Sequence, residues 1–233
     1  MPLPTVSVPK YPITIPSSKK KTVFRPFLMK EQKILFMALE SKDEKQMLGA
    51  MCDIVKNCID GVDDPTALPL FDLEYLFLKV RSKSVGEVVE AKAKCPGCSK
   101  TNDISINLDT VEVQFPKEHS NKIMLSDKMG VIMRYPTIYD AAQNIESMNA
   151  AAMIQFICDS VELVFDENMT YSRKDFTNEE LIKFIDSLDA KQFESIANFY
   201  KDLPHLHKEV HNTCPLCGHE YDISFKGLQD FFI

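Results

Sequence analysis

Apolar and polar positions sort the chain into an irregular start, several helical stripes and a few alternating stretches. Residues 1–26 interleave Val6, Val8, Tyr11, Ile13 and Ile15 with Pro2, Pro4, Pro9, Pro12, Pro16 and Pro26. Proline fixes φ and has no backbone donor, so this stretch reads as an extended arm, neither helix nor central strand. It reads either as a floppy tail or, because its apolar residues would be wasted in water, as an arm lying against a partner or its own body. Lys19, Lys20 and Lys21 read as a solvated hinge.

Helical patterns follow. From Leu28 to Ser41 the sequence is rich in strong helix formers. Met47, Leu48, Met51, Ile54, Val55, Cys58 and Ile59 then form a stripe at 3.6-residue spacing, which packs one face on a core. Gly61 and DDPTALP break the pattern into a loop. In FDLEYLFLKVRSKSVGE, Asp72 is the expected N-cap of a third helix running through Arg81, with Glu74 in its first turn. That helix is apolar nearly all round and predicts burial.

Strand character takes over from Val85 to Lys94, and DISINLDTVEVQF alternates like one half-buried strand. KIMLSDKMGVIMRYP predicts a hairpin turning around Asp127 to Gly130. Thr137 with Asp140 opens one long expected helix carrying Ile138, Ala141, Ala142, Ile145, Met148, Ala152, Phe156 and Ile157. Two further capping pairs, Thr177 with Glu180 and Asp189 with Gln192, start helices, the second ended by Pro204. The predicted fold class is α+β and mainly helical, with a small antiparallel β element. Its organisation is a 1–26 arm, a 27–84 helical region, a β element from 85–135 and 205–233, and a 136–204 helical insert.

Composition narrows the functions. The 233 residues are 45% hydrophobic and 26% charged, ordinary for a globular protein. No apolar run is long enough to span a membrane, and MPLPTVSVPK lacks a signal-peptide pattern, so a soluble intracellular chain is expected. The net charge of -7 argues against gripping a phosphate backbone. No G-x-S-x-G, P-loop, dinucleotide fingerprint or H-E-x-x-H is present. The acidic pairs Asp63-Asp64 and Glu179-Glu180 fall at turn or cap positions. Nothing points to an enzyme or to a small-molecule substrate.

One chemical signal repeats. CPGCSKTNDISI begins at Cys95 and CPLCGHEYDISF at Cys214. A Cys-x-x-Cys turn offers two thiolates on one edge of a tetrahedron, and two such turns complete it for zinc. Cys95, Cys98, Cys214 and Cys217 are therefore the candidate metal ligands of a zinc-ribbon-like element built from two distant Cys-Pro-x-Cys segments. The long intervening stretch is no obstacle, because loop-closure cost grows only logarithmically. A redox dithiol would open a helix rather than enter a strand. Disulfides do not suit an intracellular chain. A catalytic zinc would keep a position open for water, and four thiolates leave none. His205, His207, His211 and His219 read as surface or supporting residues. Cys52, Cys58 and Cys158 read as small buried thiols.

The segments FRPFLMKEQKILFMALES, FDLEYLFLKVRSKSVGE, CPGC, and LIKFIDSL with FESIANFYKDLPHLHKEV and CPLCG resemble the baseplate hub and hub-assembly proteins of T4-like bacteriophages. The resemblance runs from about Val23 onward, with the Pro-rich arm outside it. It implies a non-enzymatic role in building the tail's central hub, with hub and tape-measure proteins as partners. It also implies a place in the host cytoplasm during assembly and in the virion tail baseplate. The arm and the terminal LQDFFI are candidate docking segments, though LQDFFI also suits packing on its own domain. The paired knuckles suggest an alternative, a nucleic-acid-binding zinc-ribbon regulator; Lys92, Lys94, Lys100 and Lys208 flank them without a dense basic run.

Overall fold

The computed structural model describes residues 7–117, 119–141 and 149–231. Contacts group residues 1–114 with 205–233, and 115–204 separately.

In the first unit the Pro-rich segment pairs with itself. Strand β1 (Tyr11–Thr14) runs antiparallel to β2 (Lys21–Phe24), with Tyr11 opposite Phe24. Backbone bonds from Arg25 N–H to the Cys58 carbonyl (2.9 Å) and from Asp60 N–H to the Val23 carbonyl (3.0 Å) fix this hairpin to the body. Ile13, Ile15 and Phe24 of this hairpin are buried, as is Phe27 just after it. The three lysines are exposed as expected, but Lys19 and Lys20 close the hairpin turn instead of hinging an arm. Pro2, Pro4 and Val6 lie outside the described residues.

Helices α1 (Met29–Ser41) and α2 (Glu44–Cys58) pack together ahead of α3 (Leu70–Val85). Asp72 is not the N-cap of α3. Pro69 holds that position, its carbonyl accepting from Asp72 N–H (3.0 Å) and Leu73 N–H (3.1 Å). The Asp72 side chain is instead fully buried and accepts hydrogen bonds from the Ser17 amide (3.0 Å) and hydroxyl. Tertiary contact with the first hairpin thus outcompetes a local cap. Leu73, Leu76, Leu78 and Val80 are all fully buried, so α3 is the interior helix its composition predicts.

Strands β3 (Val88–Lys94) and β4 (Thr101–Asn107) form one hairpin. The expected continuous strand breaks at Asn107. Its side chain accepts from Asp109 N–H and starts a 3-10 turn, Leu108–Thr110, before β5 (Glu112–Gln114).

The second unit holds a four-stranded antiparallel sheet, β6 (Lys122–Met124), β7 (Gly130–Met133), β8 (Val161–Phe165) and β9 (Thr170–Ser172), in that order. β6 and β7 are the predicted hairpin. Gly130 is required there, because a Cβ would sit 2.4 Å from the Ile123 carbonyl oxygen. The single long helix expected after Thr137 does not run through. Helix α4 (Ile138–Ala141) opens as expected, with Asp140 accepting from Thr137, but Asn149 is extended and caps a separate helix α5 (Ala150–Ser160). Ala142, Ile145 and Met148 lie outside the described residues. α6 (Asn178–Asp186) and α7 (Ala190–Asn198) begin at the two capping boxes predicted for them. Ile157, Leu181, Ile185 and Ile196 close the core against Val131 and Met133.

The chain re-enters the first unit as β10 (His205–Thr213) and β11 (Glu220–Lys226), and β10 also pairs with β5. A last 3-10 turn, Leu228–Phe231, buries Phe231 against the ring of Phe225. LQDFFI therefore packs back on its own unit as far as Phe231; Phe232 and Ile233 lie outside the described residues. The fold is α+β, with seven α-helices and four small antiparallel sheets among the described residues.

Candidate metal centre

The two cysteine segments build the same hairpin twice. Adding 119 (214 minus 95) to the β3–β4 pairs gives the β10–β11 pairs: Val88 opposite Asn107 becomes His207 opposite Lys226, and Lys94 opposite Thr101 becomes Thr213 opposite Glu220. The turns match as well. Ser99 N–H bonds the Cys95 carbonyl and Cys95 N–H bonds the Lys100 carbonyl, both at 2.8 Å. Gly218 and His219 repeat these two bonds with Cys214, both at 2.9 Å. Each turn passes through a left-handed residue, Ser99 at φ 58° and Gly218 at φ 71°. Gly218 tolerates that conformation freely and Ser99 does so under strain.

These turns bring four thiols together from hairpins 119 positions apart. The Sγ atoms of Cys95, Cys98, Cys214 and Cys217 all lie within 4.8 Å of one another. Cys95 to Cys217 and Cys98 to Cys214 are each 3.7 Å. A disulfide would close this to about 2.05 Å, and all four are free thiols. A tetrahedral metal with bonds of about 2.3 Å to sulfur sets its sulfurs about 3.8 Å apart. Two of the six sulfur–sulfur distances match that tetrahedral edge, and the rest stay within 4.8 Å.

The surroundings favour charge on one sulfur, that of Cys214. Burial raises the Cys214 thiol, but the backbone N–H groups of Leu216 and Cys217 and the Asn102 amide outweigh it, bringing it down to about 6. Cys217 gains from the His219 backbone N–H, yet burial and the Cys214, Cys98 and Cys95 sulfurs push it up to about 12. Four thiols this close cannot all ionise without a cation to share. Asn102, buried beneath the cluster, donates to the Cys214 sulfur (3.4 Å) and to the Tyr221 hydroxyl (3.1 Å). Asn102 and Tyr221 occupy equivalent positions in the two hairpins, so the repeat ties itself across its own axis.

The histidines stand outside the cluster. His219 stacks on Tyr221, and His211 pairs with Asp222 at 2.8 Å. The His219 ring also explains one difference between the knuckles: a Cβ on Gly97 would meet it at 2.9 Å, whereas the equivalent Leu216 points to solvent. Sequence reasoning missed Asn102 and Tyr221, which look like ordinary alternation in a strand.

It also missed how α3 holds both hairpins. The Lys79 ammonium, buried in α3, donates to the carbonyls of Asp109 (2.7 Å) and Val111 (2.8 Å) at the turn leaving β4. The Glu74 carboxyl, one turn earlier, accepts from the Leu228 backbone N–H at the turn leaving β11, and burial pushes its pKa up to about 7. Charged residues on a helix buried nearly all round were the available signal, because each needs a partner there.

One member of each acidic pair fills a cap role. Asp64 accepts from Thr66 at a 3-10 turn, and Glu180 accepts from Thr177 at the start of α6. Hydrogen bonds from Thr66 and Thr177 hold both carboxyls below the usual carboxylate range. No helix of the described residues is long and apolar enough to cross a membrane.

The described residues thus form an α+β protein with four thiols gathered between two like hairpins. The chain belongs to the T4 bacteriophage base plate protein family, whose model matches residues 8–233. That match begins at residue 8, so most of the Pro-rich segment expected to lie outside the resemblance is inside the family. No curated protein sequence and no solved structure matches the chain.

Proposed function

We propose that this chain helps to build the central hub of a phage tail baseplate through protein–protein contacts rather than catalysis. Cys95, Cys98, Cys214 and Cys217 hold one structural Zn2+ in a zinc-ribbon-like element. The family match over nearly the whole chain carries the first part. It is supported by carboxylates that serve as caps and ties. Hub and tape-measure proteins are the partners in this reading, met in the host cytoplasm before the tail is complete. Purification from infected cells should bring hub proteins with it, and normal hubs in infections lacking this chain would overturn the assignment.

The metal reading rests on the sulfur spacing together with the repeated register. Zinc would supply a cross-link between two hairpins and neutralise their thiolates. Four thiolates complete its coordination, so no position remains for water, and the role is structural. Metal analysis of protein purified without chelator should give one zinc per chain; a value near zero would overturn it.

A further inference from the structure

Helix α1 carries an apolar face that nothing in the described chain covers. Glu31, Leu35 and Ala38 share its buried side. On the opposite side, at helical spacing, stand Met29, Lys33, Phe36, Met37 and Glu40. Met29 is 62% exposed, Phe36 51% and Met37 70%, with Leu39 beside them at 50%. So dense an apolar patch on a charged protein marks a contact surface.

We propose that this face pairs with the same face of a second copy, the two α1 helices running antiparallel about a twofold axis between Phe36 and Met37. The charges select both occupant and direction. The chain as a whole carries -7 and repels its own kind. The outward face of α1 is locally balanced, one Lys and one Glu, and neither forms an ion pair among the described residues. They are seven positions apart, too far to meet within one helix. In the antiparallel register each residue faces the one whose number makes the sum 73. Lys33 then lies opposite Glu40 of the second copy, Glu40 opposite its Lys33, and Phe36 opposite its Met37. A parallel pair would instead set Lys33 against Lys33. The contact is isologous, so it closes at two copies. Phe36 and Met37 supply its apolar surface about the twofold axis, and the Lys33–Glu40 pairs lie on either side of them along the helices.

Sedimentation of the full-length chain over a range of concentrations tests this. The expected result is a monomer–dimer equilibrium with a Kd on the order of micromolar, as suits a small interface. Phe36→Glu with Met37→Glu, both at exposed positions, should raise that Kd by at least about tenfold while circular dichroism stays unchanged. Lys33→Glu alone should weaken the dimer, and Lys33→Glu combined with Glu40→Lys should restore it. A chain that stays monomeric throughout, or a dimer indifferent to the Phe36 and Met37 changes, overturns the proposal. Failure of the charge exchange to restore pairing overturns the antiparallel register. Binding of a different baseplate chain to α1 of a protein that is itself monomeric overturns the choice of occupant. None of these outcomes depends on the zinc or hub readings.

Discussion

The two cysteine hairpins share a register and differ in nearly everything around it. In the β3–β4 hairpin the turn has a strained serine, a glycine kept small by the His219 ring, and an outer edge that no described strand covers. In the β10–β11 hairpin the turn has a glycine, an exposed leucine, and β5 paired along its edge. Both leave into a 3-10 turn held by α3, but the first is held by a cation on carbonyls and the second by a carboxyl on an amide. Backbone pairing and thiol placement are therefore the common device, while side chains adapt each copy to its neighbours.

The hardest test of that equivalence is removal of one sulfur from either copy. With the proposed zinc bound, Cys95→Ser and Cys214→Ser, both at buried positions, should each cost several kcal/mol, a large part of the roughly 10 kcal/mol that structural zinc binding supplies. The double variant should be little worse than either single one, because one cluster is lost only once. Calorimetry with metal analysis reads this; additive losses would mean two independent sites.

Glu74 should separate the two exits from α3. Its folded pKa of about 7 stands above the ordinary 4.5. Below pH 4.5 both states are protonated and there is no penalty. As pH rises toward 7 the unfolded chain ionises first, so stability falls through that window, by about 3 kcal/mol at 1.36 kcal/mol per pH unit. Glu74→Gln should remove this slope and be the more stable protein at pH 8. Lys79→Met, at the other hairpin's exit, should keep it. Urea unfolding of the variants against the parent, across pH, isolates the difference.

Smaller effects probe the link and the turns. Asn102→Ala should cost about 1–3 kcal/mol, since it strips a buried donor from Cys214 and from Tyr221. Tyr221→Phe, its counterpart, should cost less because it removes only a hydroxyl. At the turns the two copies should answer with opposite sign: Ser99→Gly stabilises by up to about 1 kcal/mol, and Gly218→Ala destabilises by a similar amount. Nothing lies within 4 Å of a Cβ on Gly218, so that loss is purely a backbone effect. Equal responses at both positions would break the comparison at its finest level.

Features written in short windows were readable in advance. The capping boxes of α6 and α7, the stripe of α2, the β6–β7 hairpin and the knuckles each depend on residues a few positions apart. Features decided by distant partners were not. Asp72 looked like a cap and serves Ser17. HLHKEVHNT belongs to the expected β element, but its pairing as β10 with both β11 and β5 is set by residues far along the chain. VELVF and TYS became β8 and β9 on the edge of β7, and the helix expected from Thr137 onward restarts at Asn149, whose side chain caps Ala152.

The sequence by itself determined the repeated Cys-Pro-x-Cys units, their strands and the helices around them, because hydrogen-bond closure and apolar period act locally. Only the tertiary structure decided that four sulfurs meet at 3.7 to 4.8 Å and that a Pro-rich segment folds onto the body. It also decided that α3, with Glu74 and Lys79, holds both hairpins. Those outcomes depend on which buried charge finds a partner, and that partner lies far along the chain.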